Sequence, residues 1–104
     1  MIQGGIFNTN ASLNPFASAS KVYVGYCSSD GWVGDSTAAH TASVYGFAFG
    51  FHGRRILRAT LGALHADFGL GAVGARLLLS GCSAGARGAM YNADAVASAA
   101  PANV

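Results

Sequence analysis

Ser83 lies in the run Ser80-Gly81-Cys82-Ser83-Ala84-Gly85, a Gly-x-Ser-x-Gly pattern directly after the apolar Leu77-Leu78-Leu79. Such a run presents a serine hydroxyl for nucleophilic chemistry when it forms a sharp turn between a strand and a helix. In that turn the serine backbone is strained and its neighbours crowd together. Glycine is therefore wanted two residues before and two after, where a Cβ would collide. Gly81 and Gly85 meet the demand. A helix-forming run, Ala86 to Ala99, follows and supplies the context that a chance pentapeptide lacks. The plainer alternative is a glycine-rich helix N-terminus with no chemistry.

Other residue types point to less. Cys27 and Cys82 form no C-x-x-C pair, and His40, His52 and His65 show no ligand spacing, so no metal or cofactor is expected. The count of two cysteines leaves open both a disulfide and the redox compartment. Cys82, beside the serine, is expected to be a small buried hydrophobe rather than a second nucleophile. Arg54, Arg55 and Arg58 share one helix without an aromatic platform or a longer basic stripe, so they read as a solvated face and not as a nucleic-acid footprint. The net charge of +2 agrees. Trp32 admits two readings, a wall of a substrate pocket or an anchor for the loop that carries it.

These residues need elements to hold them. The 104 residues are 52% hydrophobic and only 10% charged, which suits a buried, globular piece of chain forming at most one domain. Residues 1–20 read as a loop with a turn at Asn14-Pro15-Phe16. Lys21 to Tyr26 is apolar on both faces, as a buried parallel strand requires, and it opens into a long loop, Ser28 to Ser43. A helix is predicted over about 45–68, with Leu57, Leu61, Leu64 and Phe68 on one face and Gly69 as a left-handed stop. Gly53 would let that helix approach the sheet closely. Arg76 to Ser80 is the second predicted strand, and about 84–99 the second helix. The order strand, helix, strand, helix predicts an α/β crossover unit with parallel strands. No apolar run reaches membrane-spanning length, and residues 1–5 show no signal-peptide pattern.

Four segments taken together resemble one family. Asn14-Pro15-Phe16, Tyr26-Cys27-Ser28-Ser29-Asp30-Gly31-Trp32-Val33-Gly34-Asp35, Phe51-His52-Gly53-Arg54-Arg55-Ile56, and Leu78-Leu79-Ser80-Gly81-Cys82-Ser83-Ala84-Gly85 with Asn92 and Asp94 beyond, are similar to the pectin acetylesterase and Notum family of carboxylesterases. The resemblance implies an α/β-hydrolase-like fold and a Ser, Asp, His triad with its nucleophile at Ser83. It also implies that Ala84 gives a backbone N–H to the oxyanion hole. Substrates would be acylated, either an acetylated polysaccharide or an acylated protein, in a secreted or cell-wall setting.

The chain departs from that family in two ways. The tryptophan-containing oxyanion segment of the family has no counterpart here, and no histidine follows Ser83, although the triad of this fold runs Ser, acid, His along the chain. By that order none of the three histidines is the base, and Asp94 is too local to be the acid. Residues 1–104 are accordingly expected to be an internal fragment of one esterase domain, a partial α/β-hydrolase-like unit without its flanking elements. A non-catalytic binding protein on the same frame is the alternative.

Overall fold

The structure is a computed structural model that describes residues 4–38, 40–41 and 48–99. A 3-10 turn, Gly5–Phe7, opens the described chain. It is followed by β1 (His40–Thr41) and β2 (Ala48–Phe49), then by two helices, α1 (Gly53–Asp67) and α2 (Ala84–Ala99). β1 and β2 pair antiparallel, with His40 opposite Phe49 and Thr41 opposite Ala48.

The expected α/β crossover unit, with its parallel strands, is not formed. Residues 21–26 and 76–80 have no regular secondary structure, and neither run makes a backbone–backbone hydrogen bond among the described residues. Val22, Tyr23 and Leu78 are exposed. An apolar run specifies which face could be buried, but a strand exists only where a neighbouring backbone completes its ladder.

Helix α2 falls where the sequence predicts it. Its run Ala84-Gly85-Ala86-Arg87-Gly88-Ala89-Met90-Tyr91 and onward is alanine-rich, and alanine has the highest helix propensity. Helix α1 starts later than the predicted residue 45; positions 45–47 lie outside the described residues, and Ala48 and Phe49 belong to β2. Its first turn is capped by other parts of the chain. His52, at the N-cap, makes no side-chain capping bond. Instead Gly53 N–H donates to Asp30 Oδ2 at 2.7 Å and Arg54 N–H to the Gly34 carbonyl at 2.9 Å. Two of the four donors that a helix start leaves unpaired are thereby satisfied by residues 30–34. At the other end Gly69, with φ +74°, turns the chain, and the N–H groups of Phe68 and Leu70 both return to the Leu64 carbonyl. Leu57, Leu61 and Leu64 are half-buried on one face, whereas Phe68 is exposed.

The core is small and centred on one ring. Among the described residues the buried hydrophobic side chains are Trp32, 8% exposed, and Val96, 5% exposed. The Trp32 ring lies on Gly88 of α2 so closely that a Cβ there would run into it, and Tyr26 packs against it with ring centroids 5.4 Å apart. Fully buried Asn92, one turn beyond Gly88, donates through Nδ2 to the carbonyls of Trp32 and Gly88, each at 2.9 Å. A separate polar knot shapes the N-terminal loop, where buried Asn14 donates to the carbonyls of Ile6 and Asn8 and accepts from Phe16 N–H. That is the turn expected at Asn14-Pro15-Phe16.

The Trp32 contact makes Gly88 and Gly62 respond oppositely to one substitution. Alanine at either position gains about 1 kcal/mol of helix propensity. Gly62 of α1 has no atom near the position of a Cβ, whereas at Gly88 the indole must shift. Gly62→Ala is expected to raise stability by about 0.5–1 kcal/mol, and Gly88→Ala to lower it, overpacking costing about 1–3 kcal/mol. Urea midpoints read both, and a rise for Gly88→Ala would refute the packing described.

Candidate active site

The turn at Ser83 is built by close backbone packing. A Cβ on Gly81 would collide with the backbone of Gly85 and Ala86, so the chain folds tightly there only with glycine. Gly85 differs from expectation: a Cβ on it would meet nothing, and steric crowding does not require glycine at that position. Ser83 has φ +54°, in the left-handed region that a non-glycine residue enters at a cost of order 1–3 kcal/mol. It immediately precedes α2, and its carbonyl accepts from Ala86 N–H at 3.1 Å and Arg87 N–H at 3.2 Å. The serine is exposed, and its Oγ has no hydrogen-bond partner among the described residues. Ala84 is the first residue of α2, and its N–H likewise has no acceptor among them. An exposed serine on a left-handed backbone thus directly precedes a helix-terminal N–H that is unpaired among the described residues, where the helix dipole favours negative charge.

The histidines are engaged elsewhere. His52 Nδ1 donates to the Ser36 carbonyl at 2.6 Å, and the His65 ring sits against Gly71, in the space a Cβ there would occupy. His40 lies in β1. Among the described residues no imidazole is hydrogen-bonded to Ser83 Oγ, and no group of three or more His, Cys, Asp or Glu could hold a metal ion. Asp94 is exposed, and its carbonyl accepts from Ser98 Oγ.

Trp32 faces α2. It has φ +67°, and its side chain is occupied by Gly88 and Tyr26. Cys82 is exposed and free, as is Cys27, which corrects the expectation of a buried Cys82; among the described residues nothing buries it. Arg55 and Arg58 pair with Asp35 at 3.0 and 3.3 Å on the surface, where such pairs contribute little.

Two residues of structural weight, Asn92 and Asp30, enter the sequence reading only as members of the segments that carry the resemblance, with no role given to them. Asn92 is a polar residue four positions after Gly88 in an alanine-rich helix, a spacing that puts both on one face. Asp30 sits two residues after Ser28, in a pattern typical of side-chain-closed turns. Its Oδ1 accepts from Ser28 Oγ at 2.5 Å and from Trp32 N–H at 3.0 Å, and its Oδ2 from Gly53 N–H. Partial burial pushes the Asp30 carboxyl up. Hydrogen bonds from Ser28 and from the N–H groups of Gly53, Trp32 and Asp30 itself outweigh that and hold it below the ordinary carboxylate value.

The pectinacetylesterase family model matches residues 1–104. The chain belongs to the pectinacetylesterase family. It is 39% identical over 95 residues to the palmitoleoyl-protein carboxylesterase NOTUM of Drosophila melanogaster, covering 89% of this chain and 14% of that protein. It is 36% identical over 95 residues to the enzyme of the same name from Homo sapiens, covering 89% of this chain and 18% of that protein. This pectinacetylesterase-family chain therefore spans less than a fifth of the length of either relative. No solved structure matches it.

The lowered carboxyl of Asp30 has a defined pH signature. Its folded value lies below its unfolded one, so its contribution to stability is complete above about pH 4 and disappears as pH falls through the folded value. Asp30→Asn is expected to flatten the acid limb of the stability curve, read as urea midpoints between about pH 5 and pH 2. An acid limb unchanged by the substitution would show that Asp30 is no anchor.

Proposed function

We propose that Ser83 is the nucleophile of a serine carboxylesterase, with Ala84 N–H as one donor of its oxyanion hole. The observation that carries this reading is the position of Ser83, exposed, at φ +54° and directly before Ala84–Ala99, in a chain of the pectinacetylesterase family. In the reaction Ser83 Oγ bonds to the ester carbonyl carbon as its proton passes to a base. The tetrahedral oxyanion is held by Ala84 N–H, and the alcohol departs with a proton. Water then cleaves the acyl-enzyme to the acid and restores the serine. The family name suggests acetyl esters of pectin as substrate, and the names of the two relatives suggest a palmitoleoyl ester on a protein. No cofactor enters this scheme.

A second reading, a binding protein that keeps the frame without turnover, is favoured by one observation. Neither His52 nor His65 is directed at Ser83. A serine without a base stays protonated near neutral pH and is a weak nucleophile.

The two readings separate by experiment. The 104-residue chain is expected to hydrolyse p-nitrophenyl acetate no faster than its Ser83→Ala variant. A protein extended in both directions along the same locus should show Ser83-dependent turnover, blocked by a serine-directed phosphonate. Loss of Ser83 is expected to cost at least about 10³-fold in kcat. Turnover by the short chain would mean that a histidine within it reaches Ser83, and alanine variants of His40, His52 and His65 would identify which. An inactive extended protein would favour the binding reading.

A further inference from the structure

Ala84, Gly88 and Asn92 recur every four residues, a spacing that stacks them along one face of α2, and the last two are buried. The row begins at the N–H beside Ser83 and ends at an amide tied to another part of the chain. Asn92 Nδ2 donates to the carbonyls of Gly88 and Trp32, and the second of these bonds spans sixty residues. A primary amide has two hydrogens on its nitrogen, and both are used; serine would offer one donor and aspartate none. Among the described residues no other hydrogen bond joins α2 to a residue before Cys82. The tether also has a cost, because Asn92 Oδ1 is buried without a partner among the described residues. An apolar side chain of the same branching would fill the space without that cost, so the amide serves to fix one arrangement rather than to add stability.

We propose that Asn92 is a positioning residue for the Ser83 turn: its amide holds α2 against the Trp32 loop in rotation and in register, so that Ser83 Oγ and Ala84 N–H are presented in one geometry. The inference rests on the reading of Ser83 as nucleophile and Ala84 N–H as oxyanion donor. Asn92 lies eight residues beyond Ala84, about 12 Å along the helix, and acts through the helix alone. The indole of Trp32 against Gly88 limits how closely loop and helix approach, whereas a hydrogen bond of fixed length and direction also resists turning and sliding. Cα atoms lie about 2.3 Å from the axis of an α-helix, so a rotation of about 25° displaces the start of α2 by about 1 Å. A misplacement of that size costs a reacting group about 10²-fold in rate.

The test is Asn92→Leu, which keeps the branching of the side chain and favours the helix but has no N–H. Its control is Val96→Ala, one turn further on the same row, which removes packing and no hydrogen bond. Two readouts are taken: the backbone amide resonances of residues 83–85 in the isotopically labelled 104-residue chain, and kcat and KM for p-nitrophenyl acetate in the protein extended along the same locus. Asn92→Leu is expected to shift or broaden those amides and to lower kcat at least about tenfold with KM within about twofold, the pattern of a misplaced reacting group. Val96→Ala is expected to lower the urea midpoint while leaving the amides and kcat unchanged. If Asn92→Leu does not fold, Asn92→Ser, with one donor for two carbonyls, takes its place. A parental kcat in the asparagine variant, a change confined to KM, or an equal loss in Val96→Ala would each overturn the inference. Failure of the esterase reading looks different, since Ser83→Ala would then match the parent; the amides decide in that case, and unchanged resonances of residues 83–85 would overturn the inference.

Discussion

The Asp30 carboxylate accepts hydrogen bonds at both oxygens, and the placement of residues 31–35 follows from what it holds. One oxygen closes the turn from Ser28 to Trp32, and the other takes the first N–H of α1. Negative charge at a helix start is favoured by the dipole, so the loop and the helix stabilise each other. The geometry demands that Gly53 carry no Cβ, since the space it would fill is occupied by Asp30 and the Trp32 backbone. Arg54 N–H then reaches the Gly34 carbonyl, and Ser36 N–H reaches Phe51. The loop is thereby tied to the first two residues of α1 and to Phe51 just before it.

The same loop holds α2. Trp32 enters the left-handed region directly after Gly31, which is itself at φ +62°, and the turn carries its indole onto Gly88. Asn92 completes the contact from one turn further along. Gly88 is five residues from Ser83, so the clamp on α2 lies about 7.5 Å along the helix from the proposed nucleophile. Positional order at the Ser83 turn is thus inherited from a loop more than fifty residues earlier. The Arg55 and Arg58 pairs with Asp35 lie on the exterior of this arrangement and are too exposed to govern it.

What could be read from sequence was local. The second helix, the turn at Asn14, the glycine stop at residue 69, the crowding at Gly81 and the helix-starting position of Ser83 all depend on a few adjacent residues, and the structure has each of them. The predicted strands failed for the opposite reason. Residues 21–26 and 76–80 have the composition of buried strands, but pairing is a relation between segments distant along the chain, and composition does not name a partner. The start of α1 was misplaced because its cap comes from Asp30 and Gly34 rather than from a residue beside it. Asn92 is quoted in the resemblance, but its role is not legible because nothing in an alanine-rich helix reveals that its amide bridges to a carbonyl sixty residues away. Trp32, for which both a pocket wall and an anchor are open from sequence, packs against Gly88 and Tyr26.

That division between local and distant structure bears on catalysis in this family. The turn of the proposed nucleophile is assembled from its own neighbours: Gly81 admits the close approach of Gly85 and Ala86, Ser83 takes the left-handed backbone, and Ala84 begins the helix. Electrostatic assistance from a helix terminus comes with that arrangement at no further conformational cost. Proton transfer does not, because a base must be brought within about 3 Å of Oγ by an element remote in sequence. His52 shows how readily an imidazole is drawn into another task, with Nδ1 committed to the Ser36 carbonyl beside α1. The turn can therefore be well formed while the hydroxyl stays unactivated. Under this account substitutions at Gly81 act on the geometry of the proposed nucleophile, and the acquisition or loss of a base acts on its reactivity, as two independently variable properties of the proposed site.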